Sequence, residues 1–138
     1  RKVLYLDVPE PGEAAGYAMG MVMLGSGFSC EKVVNEMVEF ANKTQHEKIM
    51  RGLAMGLAFV MYGTGETADK LVDMLLENNK PLLRESAMWI ISLSYVGTSS
   101  NEALKKLSLP TEKNCFIRQF LTLMIMCEER QLSALDSC

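Results

Sequence analysis

An all-α solenoid of stacked helical hairpins is the fold class this sequence predicts, and three observations carry the prediction. A stretch at residues 52–65, GLAMGLAFVMYGTG, is apolar on every side and free of charge. The same kind of stretch occurs at 14–27 (AAGYAMGMVMLGSG) and 86–99 (SAMWIISLSYVGTS), aligned on closing glycines Gly25, Gly63 and Gly97 that stand 38 and 34 residues apart. Each apolar stretch is followed by a segment with one polar face. A period in this range marks a helical-repeat array, whose units are too small to bury their own faces and do so by stacking.

The central stretch sets the pattern. On a helix, Leu53, Leu57 and Val60 share one side and Met55, Phe59 and Tyr62 another, while Gly52, Ala54, Gly56 and Ala58 leave a third nearly flat. A helix apolar all round must be buried all round. Glycine costs roughly 1 kcal/mol against alanine inside a helix, so Gly52 and Gly56, and Gly16 and Gly20 at the same spacing, predict close approach of a neighbouring helix. Gly25, Gly63 and Gly97 are expected to end their helices in the left-handed conformation. These seven glycines are the candidate structural site.

Taken in order, residues 1–12 hold an apolar piece at 3–6 and then Pro9 and Pro11, which are expected to break any helix. They read as the remnant of a preceding repeat and a linker. Repeat one, 13–43, has an apolar A helix over 13–24 and an amphipathic B helix over 31–42. In the B helix Val33, Val34, Met37, Val38 and Ala41 face inward, and Lys32, Glu36, Glu39 and Lys43 outward. Repeat two, 44–79, opens on Thr44 and Glu47, a capping-box pair. Its A helix is expected over 45–62. Its B helix over 66–77 has Ala68, Leu71, Val72, Leu75 and Leu76 inward, and Asp69, Lys70 and Asp73 outward. The turn Asn78-Asn79-Lys80 leads to Pro81, suited to the first position of a helix. Repeat three, 80–107, carries the single tryptophan, Trp89, on an A helix over 81–96. Its B helix starts near Ser99 with Glu102 as capping glutamate and turns Ala103, Leu104 and Leu107 inward. The arrangement implied is two layers, A helices within and B helices outside.

Composition bounds the function. At 138 residues with 49% hydrophobic content there is room for one domain with a sizeable core. A net charge of −3 brings no basic stripe for nucleic acid. The charge-free stretch 52–65 falls short of the roughly 20 residues of a membrane span. Cys30, Cys115, Cys127 and Cys138 form no CxxC pair and have no histidines at metal spacing, so they read as reduced thiols of an intracellular protein and no metal is expected. Eleven methionines suit an adaptable helical core. The loops after the closing glycines lack a phosphate-binding GxxxxGK[ST], and no cofactor is implied. No signal-peptide core precedes residue 10, and without an initial Met the chain reads as a piece of a longer protein.

Candidate chemistry is thin. His46 is the only histidine, and as a general base it would need a nucleophile or an orienting carboxylate. Glu47 adjoins it, but adjacent helical residues do not face each other. His46 is therefore read as a residue at a helix start, bonding across a repeat junction. A small helical hydrolase using His46 and a cysteine is the enzymatic alternative. Arg51, Arg84, Glu13 and Glu85 are expected to pair across neighbouring repeats. Trp89, Tyr17, Tyr62 and Tyr95 are expected in the core with their polar tips at the loops.

Residues 12–27 (GEAAGYAMGMVMLGSG), 44–63 (TQHEKIMRGLAMGLAFVMYG) and 80–87 (KPLLRESA) resemble the proteasome/cyclosome repeat family, and the resemblance covers 12–106. It implies a fragment of a toroid of two concentric helical rings without a catalytic site. The implied role is a scaffold of the proteasome regulatory particle, supporting ubiquitin-dependent degradation in cytoplasm and nucleus. The implied partners are the ATPase ring and ubiquitin receptors, with no small-molecule substrate. The repeat scaffold of the anaphase-promoting complex is the alternative within the family. After Leu107 the resemblance stops. Residues 120–138 (FLTLMIMCEERQLSALDSC) are expected to be a fourth repeat translated out of frame, with 108–119 read from a retained intron. A helix over 114–135 is expected there, with no function assigned.

Overall fold

A computed structural model describes residues 6–107, and the expectations for 1–5 and for the 108–138 tail lie outside the described residues. Six α-helices are found among them: α1 (Pro9–Val22), α2 (Glu31–Lys43), α3 (Glu47–Val60), α4 (Asp69–Leu76), α5 (Pro81–Ser94) and α6 (Asn101–Leu107). Short 3₁₀ turns, Gly27–Cys30 and Gly65–Ala68, lead into α2 and α4. Helix α1 packs against α3 and α3 against α5, while α2 packs on α3, and α4 and α6 pack on α5. The chain is thus an all-α stack of hairpins, with α1, α3 and α5 in one layer and α2, α4 and α6 in the other.

The core follows the periodicity of the sequence. Ile49, Leu53 and Leu57 of α3 are fully buried, and so are Leu83, Ile90 and Ile91 of α5. The second layer adds Val34, Met37 and Ala41 from α2, Leu71, Val72 and Leu75 from α4, and Ala103 and Leu107 from α6. Helix α3 lies between its two neighbours, and only Arg51 within its central residues stays exposed. Helix α1 is different. Ala14, Ala18, Met21 and Val22 face solvent, so its apolar surface is covered on one side only.

Three local expectations need correction. Pro9 and Pro11 do not break a helix: α1 begins at Pro9 and both prolines sit in its first turn. The N–H groups of a first turn have no intrahelical acceptor, so their loss costs nothing there. Thr44 and Glu47 do not form a capping box, because α3 starts at Glu47 with His46 as N-cap and no side-chain cap. The Thr44 hydroxyl instead accepts from the His46 N–H at 3.2 Å and donates to Asp7 Oδ1 at 2.9 Å. At α6 the oxygen accepting the Ala103 N–H belongs to Ser100, not Ser99, at 3.5 Å.

Ser99 has another burden. It stands two places after closing Gly97, where the earlier repeats have Gly27 and Gly65, and all three residues take positive φ (+49°, +54° and +59°). The left-handed region costs an L-residue about 1–2 kcal/mol that glycine does not incur. Ser99→Gly is therefore expected to stabilise the chain by ~0.5–1 kcal/mol once glycine's greater unfolded-state entropy is deducted. A rise in the urea midpoint with unchanged slope is the measurement.

Candidate functional site: the glycine seam and the repeat junctions

Helices α1 and α3 approach to backbone contact. A methyl group added at Gly16 would lie 2.5 Å from the Gly52 carbonyl carbon, and one at Gly20 would lie 2.5 Å from the Gly56 carbonyl oxygen. From the other side, a methyl at Gly52 would strike the Glu13 carbonyl oxygen, and one at Gly56 the Gly16 carbonyl oxygen. These obstacles are backbone, which cannot swing aside. All four glycines are buried. Gly12 belongs to the same edge, facing the Ile49 side chain, and was not singled out from sequence.

The closing glycines fasten one repeat to the next. Gly25, Gly63 and Gly97 all have positive φ, +70°, +67° and +70°. The Gly25 N–H donates to the Phe59 carbonyl at 3.1 Å, and the Gly63 N–H to the Leu93 carbonyl at 3.0 Å. Both acceptors stand four residues before the next closing glycine, so the bond repeats with the sequence. One residue later a hydroxyl turns back each time. Ser26, Thr64 and Thr98 donate to the carbonyls of Met23, Met61 and Tyr95 at 2.7, 2.8 and 2.8 Å. The Ser/Thr after each closing glycine was the available signal for this cap.

At the opposite end of the hairpins lies a second set of junctions. Lys80 donates its ammonium to three carbonyls at the end of α2: Ala41 at 3.1 Å, Asn42 at 2.6 Å and Thr44 at 2.9 Å. A cation there satisfies carbonyls left without intrahelical donors and meets the negative end of the helix dipole. Asn78 Nδ2 donates to Asn42 Oδ1 at 2.8 Å. Lys48 pairs with Glu10 at 2.9 Å, which lowers the Glu10 carboxyl and raises the Lys48 ammonium from their ordinary values. His46 Nε2 lies 3.6 Å from Asp7 Oδ2, across the junction as its reading anticipated.

The expected arginine pairs are placed differently. Arg51 reaches Glu47 of its own helix at 3.7 Å, and Arg84 donates to the Asn78 and Asn79 carbonyls of the turn just before α5. Both find an acceptor within six residues, so neither needs to extend to a neighbouring repeat. Asp69, expected outward, is held between Lys106 Nζ at 3.0 Å and the Tyr95 hydroxyl at 3.1 Å. This links α4, α5 and α6. Tyr95 is buried, but Tyr62 is exposed and Trp89 and Tyr17 are half-buried.

Desolvation, then the neighbouring Asp69 carboxylate and its hydrogen bond, push the Tyr95 phenol from 10.0 up to about 12. A folded-state value above the unfolded one contributes stability that is complete below pH 10 and lost between pH 10 and about 12. Alkaline titration at the phenolate absorbance band is expected to show Tyr95 ionising late. Tyr95→Phe should remove that late step and flatten the stability loss over the same interval.

Among the described residues, the two groups of the hydrolase alternative stand apart. Cys30 precedes the first residue of α2, and His46 lies beyond its last, Lys43, as the N-cap of α3. Thirteen residues of helix separate them by about 20 Å, beyond proton-transfer reach. Cys115, Cys127 and Cys138 lie outside the described residues. Among the described residues no cluster of three or more His, Cys, Asp or Glu could hold a metal ion. No helix among them is long and apolar enough to cross a membrane.

Fold and seam together define a helical-repeat chain whose recurring residues serve stacking. No protein-family model matches it. In sequence the chain stands close to 26S proteasome non-ATPase regulatory subunit 1. It is 50% identical to that protein of Drosophila melanogaster over 104 residues, which is 75% of this chain and 10% of the relative. It is 42% identical over 107 residues to the subunit 1 homolog A of Arabidopsis thaliana, 78% of this chain and 10% of that protein. With the 26S proteasome regulatory subunit rpn2 of Schizosaccharomyces pombe it shares 38% over 105 residues, 76% of this chain and 11% of the relative. The chain thus spans about a tenth of the length of the curated relatives it matches.

Proposed function

We propose that this chain is a scaffold segment of the proteasome regulatory particle, three proteasome/cyclosome-type repeats at about 13–43, 44–79 and 80–107. It acts in ubiquitin-dependent protein degradation by holding other subunits, the ATPase ring and ubiquitin receptors, at fixed spacing. It does so in cytoplasm and nucleus and without chemistry of its own. The observation that carries this reading is half identity to a proteasome regulatory subunit over three quarters of the chain. Backbone contact along Gly16, Gly20, Gly52 and Gly56 supports it from the physical side, because a seam without side chains between the backbones has little room to slide or bend. In this reading the seven repeat glycines, Gly25, Gly63 and Gly97 among them, set the register of the stack.

The test is a segment exchange. Residues 13–107 replace the matching segment of the Drosophila relative, the chimaera is expressed with an affinity tag, and regulatory particles are isolated from the cells. The chimaera is expected to co-purify with the ATPase ring, and the same chimaera carrying Gly16→Val to do so much less. A soluble, folded chimaera that stays outside the particle would overturn the proposal.

A further inference from the structure

Each helix of the first layer turns one recurring pair of positions toward the helix that follows it. On α1 the pair is Gly16 and Gly20, which lie against α3. Aligned on the closing glycines, the pair falls at Ala54 and Ala58 on α3, and at Met88 and Ser92 on α5. Ala54 and Ala58 are buried, and α3 has α5 packed after it. Among the described residues no helix of this layer follows α5, yet Met88 is only 6% exposed and Ser92 0%. Val22, at the other end of the layer, is 86% exposed. The second layer repeats the observation. Helix α2 packs on α3 and α4 on α5, whereas α6 has no such follower among the described residues, and its Ala103 and Leu107 are still buried. The chain is alone in this structure, so whatever shields these residues belongs to the chain itself.

We propose that the far face of α5 is a docking seat for residues 114–135 of this same chain, which end the array as a cap. The inference does not depend on the function proposed above. Position along the chain favours this occupant. The first-layer helices begin at Pro9, Glu47 and Pro81, 38 and 34 residues apart, and the same step from Pro81 falls at 115–119. The apolar stretch of the tail starts there, at Phe116. At helical spacing Phe116, Phe120, Leu121 and Met124 share one side, while Arg118, Thr122 and Glu129 share the other. One greasy side and one polar side is what the terminal unit of a repeat array requires, because its outer surface meets water instead of another unit. The seat asks only for apolar bulk beside Met88 and Ser92, so a segment unlike the earlier repeats in sequence meets it. A filled seat closes this end of the stack to a further hairpin, whether of this chain or of another.

Methionine oxidation by hydrogen peroxide, read residue by residue by mass spectrometry on the 138-residue chain, tests this. In the parent chain Met21, 60% exposed, is expected to oxidise quickly, and Met88 as slowly as the core residue Met37. Phe120→Glu and Met124→Glu, on the apolar side of the tail, should each speed the oxidation of Met88 about tenfold or more by opening the seat locally. Met37 should stay protected in both. Thr122→Glu, on the polar side, should leave Met88 as it was. If a glutamate variant exposes Met37 as well, the chain has unfolded, and the milder Phe120→Ser and Met124→Ser are read by the same criterion. Met88 oxidising as fast as Met21 in the parent chain would overturn the proposal. So would Met88 staying protected in the folded apolar-side variants, or losing protection equally in Thr122→Glu.

Discussion

Gly16→Val is expected to cost the chain ~3 kcal/mol or more and to detach α1 from the stack. The sign runs against helix propensity, which favours replacing a mid-helix glycine by about 0.5–1 kcal/mol. Packing decides otherwise. The first carbon of the new side chain would sit 2.5 Å from the Gly52 carbonyl carbon and 2.7 Å from the Leu53 amide nitrogen. Overpacking against side chains costs about 1–3 kcal/mol when the neighbours can repack. Here the neighbour is backbone of a buried helix, so the two helices must separate along their whole seam. Gly16→Ala should already destabilise. Gly63→Ala is the contrast: nothing lies within 4 Å of the added methyl, and only the φ of +67° is strained, for about 1 kcal/mol. Urea unfolding of the three variants, with limited proteolysis after residue 22 for the first, provides the measurement. Equal midpoints for Gly16→Val and Gly63→Ala would contradict the seam.

Leu57→Ala is expected to cost in the upper half of the ~2–5 kcal/mol range for a buried leucine. Leu57 is fully buried on α3, the helix packed between α1 and α5. The spread at fixed chemistry reflects how far the surroundings can close on the cavity. Helix α3 itself cannot draw closer to α1 to fill the gap, because at Gly56, the residue before Leu57, it already lies against the Gly16 backbone. A domain of ordinary stability, 5–15 kcal/mol, loses a large part of it to such a cavity. The urea midpoint should fall with the slope unchanged. A loss under about 1 kcal/mol would mean that the stack closes freely around the gap.

The layers were legible because their causes are local. Apolar residues recurring at helical spacing dictate which face is buried, and Gly52 and Gly56 in an otherwise ordinary helix demand a neighbour at close range. Apart from His46 at its helix start, the junctions were not legible, because their partners come together only after stacking. Lys80 reads as a solvated lysine in an Asn-Asn-Lys turn, yet its three acceptors lie 36 to 39 residues upstream. Asp69 reads as an outward charge until Tyr95 and Lys106 arrive from α5 and α6. Pro9 and Pro11 were misplaced for another reason: a proline forbids only the helix interior, and position within the first turn cannot be read from residue type alone. Which A helix has one covered side and which has two is not written in its composition, because both have the same apolar content.

Gly25 gives its N–H to Phe59 and Gly63 its N–H to Leu93, each in the hairpin that follows. The unit of this architecture is consequently not the hairpin but the overlap between two of them. Cutting the chain at a turn leaves both pieces with a severed tie, whereas removing one full period rejoins donor and acceptor of the same kind. Lengthening or shortening such a chain is therefore tolerated in whole periods and penalised in fractions, whatever loop is chosen for the splice.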